Sequence, residues 1–140
     1  MKIIGSHKKE INKIKQAINF VKNNYTEYYD DFRYLTKIVI KDARGYNNEY
    51  FAKKKMWEVN KSIIIKNDIK YLASLLIHET YHGKQYYEMG KKNNNREDEL
   101  AAYEYQIKFL NEINYPNLTE TVKFMMKQYK EHTKNFIYYP

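Results

Sequence analysis

The sequence predicts an α+β fold: one amphipathic helix, a small group of three short strands, then three helices. Three observations carry that reading. Apolar residues recur at helical spacing near the N-terminus, β-branched runs cluster in the middle, and the second half is punctuated by helix caps and stops. At 140 residues with 43% apolar content, the chain has the length and the core of one domain, spanning 1–140. No internal repeat, linker-like stretch or low-complexity block divides it.

Ile11, Ile14, Ala17, Ile18 and Val21 form an apolar stripe with Lys and Asn between them, which predicts a helix from Lys8 to about Asn24. The aromatic, acidic stretch from Tyr25 to Tyr34 fits a short helix or a loop equally. Thr36-Lys37-Ile38-Val39-Ile40-Lys41 reads as a strand left by the turn Asp42-Ala43-Arg44-Gly45. Tyr50 to Val59 is more strand than helix and offers Phe51 and Trp57 to the core. Ser62-Ile63-Ile64-Ile65-Lys66, bounded by Asn60 and Asn67-Asp68, reads as a third strand, and the three together suggest a meander. Asp68 then caps a helix running to about Met89, with Gly90 as its stop. Beyond the loop Asn93-Asn94-Asn95, Asn95 caps a helix to about Ile113, whose first turn carries Glu97, Asp98 and Glu99 where the helix dipole favours acids. Pro116-Asn117 opens the last helix, with Leu118, Val122, Met125 and Tyr129 on one face.

Composition narrows the function. A mean hydropathy of −0.88 with no uninterrupted apolar run leaves no membrane span, and Met1 to Lys8 lacks the apolar stretch of a secretory signal, so a cytoplasmic protein is expected. Zero cysteines exclude disulfide scaffolds, thiolate metal sites and cysteine nucleophiles, leaving His, Asp and Glu as metal ligands. The net charge of +8 comes from 22 Lys and only 3 Arg, in a chain also rich in Asn, Ile and Tyr. Nucleic-acid recognition leans on Arg forks, so this balance is read first as solvated surface and only second as a site for an acidic partner.

The chemistry lies in Leu75-Leu76-Ile77-His78-Glu79-Thr80-Tyr81-His82. Histidines four residues apart share a helix face and can converge on one ion, while the Glu between them is offset toward the open coordination position. The preceding turn, Tyr71 to Leu76, is nearly apolar all round, so the helix is expected to be buried. Buried imidazoles need partners, and a metal uses both at this spacing. A third ligand is then required. Glu88, six residues after His82, is one candidate, but Gln85 stands where a chain-turning Gly would be needed. Glu99 is the better one, in the first turn of the next helix with Ala102 small at i+3 and Tyr103 at i+4 on the same face. Glu97 and Glu104 read as solvated acids.

His78-Glu79-Thr80-Tyr81-His82 followed by Glu99-Leu100-Ala101-Ala102-Tyr103-Glu104-Tyr105-Gln106 resembles the gluzincin metallopeptidases of the zincin-like fold, over Ser62 to about Leu110. The resemblance implies Zn²⁺ held by His78, His82 and Glu99, with Glu79 as general base. It also implies an edge strand near Ser62 to Ile65 that binds an extended peptide by strand addition. The chain departs from the thermolysin pattern at Tyr103, where an Asp orienting the first His would stand. Either the phenol takes that role or another acid does, Asp98 and Glu104 being the substitutes at hand. Tyr103, Tyr81 and Tyr46 are the candidate phenolic donors to an oxyanion, whereas His132 and His7 read as surface residues.

The expected activity is therefore hydrolysis of a peptide or protein substrate, a zinc-bound water attacking the carbonyl while Glu79 carries the proton to the leaving amine. The rival is a catalytically silent zincin-like module binding an acidic protein or a nucleic acid through its basic surface.

Overall fold

The computed structural model describes residues 1–42 and 48–134. The turn expected after Asp42 and the side chain of Tyr46 lie outside the described residues. The fold is α+β. Helix α1 (Lys8–Asn24) follows a short strand β1 (Lys2–Ile4), and Tyr25–Tyr34 resolves into a helical turn α2 (Thr26–Tyr29) running into a 3₁₀ helix (Asp30–Tyr34). Strands β2 (Lys37–Lys41), β3 (Asn48–Phe51) and β4 (Met56–Asn60) come next, then helices α3 (Lys61–Lys66), α4 (Ile69–Glu88), α5 (Arg96–Glu112) and α6 (Pro116–Thr133). Among the described residues no helix is long and apolar enough to cross a membrane.

The sheet is not a meander. It has four strands in the order β1-β2-β4-β3, with β1, β2 and β4 parallel and β3 antiparallel at the edge. Helix α1 fills the crossover between β1 and β2, and β3 joins β4 as a hairpin, in the register Tyr50 to Trp57 and Phe51 to Met56. The single strand anticipated over Tyr50–Val59 is therefore two, broken by a 3₁₀ turn at Ala52–Lys54 and by Lys55 in the left-handed region at φ 49°.

Ser62–Lys66 is helical, which corrects both the third strand and the edge strand expected there. Asn60 caps this turn, its side chain accepting from the Ser62 N–H at 3.0 Å, and Lys13 Nζ donates to the Ile64 carbonyl at 2.7 Å. A strand would send Ile63 and Ile64 to opposite faces. One helical turn buries both and leaves Ile65 outside, so packing overrides the β preference of three isoleucines.

One cluster forms the core. Ile14, Ala17 and Val21 of α1 meet Ile38, Trp57 and Val59 of the sheet and Leu72, Leu76 and Ile77 of α4. Each fully buried aliphatic side chain contributes about 1.5–3 kcal/mol. That stabilisation permits α4 to run through the centre, buried at every position from Tyr71 to Thr80, with polar groups aboard. Its ends are set locally: Asp68 accepts from the Tyr71 N–H at 2.9 Å, and Gly90 at φ +68° lets the Lys91 N–H return to the Gln85 carbonyl at 2.9 Å.

Gly83 holds the sheet edge close to α4. A Cβ there would collide with Tyr34 Cβ and with the hydroxyl of Tyr50, which donates to the Tyr34 carbonyl. Gly83→Ala is therefore expected to lose about 1–3 kcal/mol to overpacking and to regain only about 1 kcal/mol of helix propensity. Thermal melts check the sign: the melting temperature should drop by roughly 2–4 °C, and a rise would contradict the tyrosine packing.

Candidate metal centre and cleft

Helix α4 presents His78 and His82 side by side with ring centroids 5.0 Å apart. Across from them, α5 is started by a reciprocal capping box between Asn95 and Asp98, which fixes its first turn and so the direction of Glu99. The Glu99 carboxylate meets both rings, Oε1 at 2.8 Å from His78 Nε2 and Oε2 at 3.1 Å from His82 Nε2. The three residues offer ligand atoms that all lie within 4.8 Å of one another. Ligand atoms around a tetrahedral ion with bonds of about 2.0–2.1 Å stand about 3.3 Å apart, so this donor set matches a small divalent cation in kind and number and would close around one by side-chain adjustment. Two imidazoles and a carboxylate suit a borderline ion such as zinc better than a hard one such as calcium.

Two glutamines decide which ring nitrogens face inward. The Ser74 hydroxyl donates to the Tyr71 carbonyl at 2.7 Å, so its oxygen accepts from Gln106 Nε2 at 3.0 Å, which turns Gln106 Oε1 toward His78 Nδ1 at 3.0 Å. Gln85 Nε2 donates to the Asp98 carbonyl at 2.9 Å, which turns its Oε1 toward His82 Nδ1 at 2.8 Å. A carbonyl only accepts, so each chain runs in one direction. Both Nδ1 atoms are consequently donors, and both Nε2 atoms are presented to Glu99.

Comparison with protein-family models, curated proteins and solved structures gave no match.

The site opens into a cleft of about 1050 Å³, with the edge strand β3 on one side, α4 as its floor and α5 with Met125 of α6 opposite. Glu79 lies in this cleft and is buried. Tyr103 lies in it too, its ring edge-on to His78 with centroids 4.9 Å apart. The other candidates go elsewhere. Glu88 is held by the Tyr34 hydroxyl and by Arg33 at 3.1 Å, Glu97 pairs with Arg96 at 2.8 Å, and Glu104 is exposed. Asp98 spends its side chain on the Asn95 cap, and Tyr81 packs edge-on to Tyr105 at 4.5 Å. His7 and His132 are exposed. The place left open for a group orienting the first His is taken by Gln106, which lies about two turns beyond Glu99 on the same face. Neither Gln106 nor Gln85 stands out in the sequence for this role, although i+3 from His82 and i+7 from Glu99 are positions from which both amides reach the rings.

Burial alone pushes His82 down, but its hydrogen bond to Glu99 and the neighbouring charges of Glu79 and Glu99 reverse this and hold it up at about 9. Burial would likewise raise Glu99, yet hydrogen bonds from His78 and His82 keep its carboxyl far below the usual range. Glu79 is pushed up by burial, against the pull of both histidines. With His82 raised from 6.5 to about 9, the stability it lends the metal-free protein is full below about pH 6.5 and is lost as pH climbs through about 9. The shift corresponds to about 3 kcal/mol at most, or roughly 5–10 °C. Melts of chelator-treated protein at intervals from pH 6.5 to 9.5 should show that decline, and a flat profile would contradict the His82–Glu99 pairing.

Proposed function

We propose that the chain is a small zinc-dependent peptidase of the zincin-like type, in which His78, His82 and Glu99 hold the ion. The observation that carries this reading is the meeting of two Nε2 atoms and one carboxylate in the same cleft as Glu79, beside the edge strand β3. Zinc bound there supplies a Lewis acid and a water acidified to near neutrality.

The chain's own groups do the rest. Glu79 takes the proton of the attacking water and passes it to the leaving amine. Gln85 and Gln106 keep the imidazoles in the ligating tautomer. Tyr103 packs edge-on against His78 and, lining the same cleft, is the phenol assigned to the carbonyl oxygen of the scissile bond. Strand β3, in the edge position that the sequence reading gave to Ser62–Ile65, binds the substrate backbone as an added strand.

The test is a digest of a proteome-derived peptide mixture read by mass spectrometry. New termini are expected with zinc-loaded protein, lost on chelation and restored by zinc. Bound zinc without any new termini would return the chain to the silent binding-module reading.

A further inference from the structure

The cleft is not uniform along its length. Leu75 and Met125 lie toward one end of the stretch of α4 that floors it, and Tyr86 toward the other. At the Tyr86 end two segments leave the framework with lysines on them. The 3₁₀ turn after β3 carries Lys53 and Lys54, and the loop after Gly90 carries Lys91 and Lys92. The two segments are tied together, because the Tyr87 hydroxyl donates to the Ala52 carbonyl at 2.8 Å.

All four lysines line the cleft and are exposed. Among the described residues none of them is in an ion pair, whereas Lys41, Lys61, Lys84 and Lys108 each have a carboxylate. Aromatic rings prop two of these ammonium groups: Lys92 Nζ sits 4.0 Å from the Tyr86 ring centroid while donating to the Tyr86 carbonyl at 3.0 Å, and Lys54 Nζ sits 5.6 Å from the ring centroid of Phe51. Charges held over rings give up less side-chain freedom on meeting an anion.

We infer that this lysine rim selects substrates carrying several Asp or Glu residues on one side of the bond to be cut, an inference that rests on the peptidase reading of the cleft. A peptide lying along β3 reaches the rim at the end where β3 runs into Ala52–Lys54, a segment tied to Tyr87, about two helical turns beyond Glu79 on α4. It can therefore place carboxylates among the lysines without bringing them against Glu79 and Glu99. A nucleic acid is the poorer match. Its phosphates are evenly spaced, so one crossing the cleft would set several against those two acids, and the rim holds no Arg fork.

The experiment uses the full chain, zinc-loaded and in the Glu79→Gln background so that the peptide is not consumed. Two fluorescent peptides of roughly 12 residues are compared by anisotropy, identical except that one carries a run of Asp where its twin carries Lys. The acidic peptide should bind at least about tenfold tighter, and less so as salt is added. Lys53→Glu with Lys92→Glu should erase the preference, while Lys15→Glu with Lys127→Glu, exposed residues outside the cleft, should preserve it.

Equal binding of the twins overturns the inference, as does equal loss in both double variants, which would mean net charge rather than the rim. A single-stranded oligonucleotide that displaces the acidic peptide and is itself lost in the rim variant also overturns it, assigning the rim to nucleic acid. Rim-dependent binding of the acidic peptide without hydrolysis by the wild type upholds the rim and sinks the peptidase reading. Hydrolysis of both twins at equal kcat/KM does the reverse.

Discussion

Glu79→Gln is expected to retain one zinc per chain and to lose peptide hydrolysis by about 10²-fold or more. The amide matches the carboxylate in size, so the cleft keeps its shape, and Glu79 is not among the three residues whose ligand atoms converge. What disappears is the group that accepts a proton. Burial makes Glu79 a stronger base than an exposed carboxylate, so its replacement by a group with no basicity strikes the proton transfer directly. Metal content by elemental analysis and kcat/KM on a cleaved peptide decide the matter together. Unchanged hydrolysis would remove Glu79 from the mechanism. Loss of zinc alongside activity would instead make it a ligand.

Glu99→Ala should release the metal. Two imidazoles alone leave a divalent ion short of protein ligands, and the substitution also strips both histidines of the carboxylate that faces them in a half-buried setting. Zinc per chain after dialysis should fall to near zero. The stabilisation that zinc gives the wild type, about 2.7 kcal/mol at a hundredfold excess over Kd, should vanish with it. Glu88→Ala is the informative companion, because Glu88 bonds Arg33 and Tyr34 and does not line the cleft. It should leave zinc content unaltered. The opposite pattern, zinc kept without Glu99 and lost without Glu88, would transfer the third ligand to Glu88.

The four long helices were legible because their boundaries are written in local chemistry. Asp68, Gly90 and Asn95 stop or start a helix whatever surrounds them, and each does so at the expected place. The metal-ligand candidates were legible for a related reason: four residues on a helix is a distance, so His78 and His82 are neighbours before any tertiary contact forms. Elements that depend on distant partners were not legible. β1 is three residues long and exists only because β2 lies beside it. The isoleucines at 63–65 obey the core rather than their own preference, and the break at Ala52–Lys55 carries neither Gly nor Pro to announce it. Gln85 and Gln106 read as ordinary polar helix residues, since their value lies in what stands across the gap between α4 and α5.

Those two amides fix the electrical character of the centre. A histidine backed by a carboxylate shares that partner's negative charge and pushes electron density onto its ion, whereas one backed by an amide is merely aimed. With Glu99 as the sole anion among the ligands, a divalent ion in this site keeps a formal charge of +1. A single Asp in place of either glutamine would cancel it. An ion bound there would therefore pull harder on a carbonyl oxygen, and be gripped less firmly, than one in a carboxylate-backed site of the same geometry. An ion held there would therefore be expected to exchange with the surrounding metal pool, so that supply and the order of intrinsic affinities would choose among zinc and its neighbours.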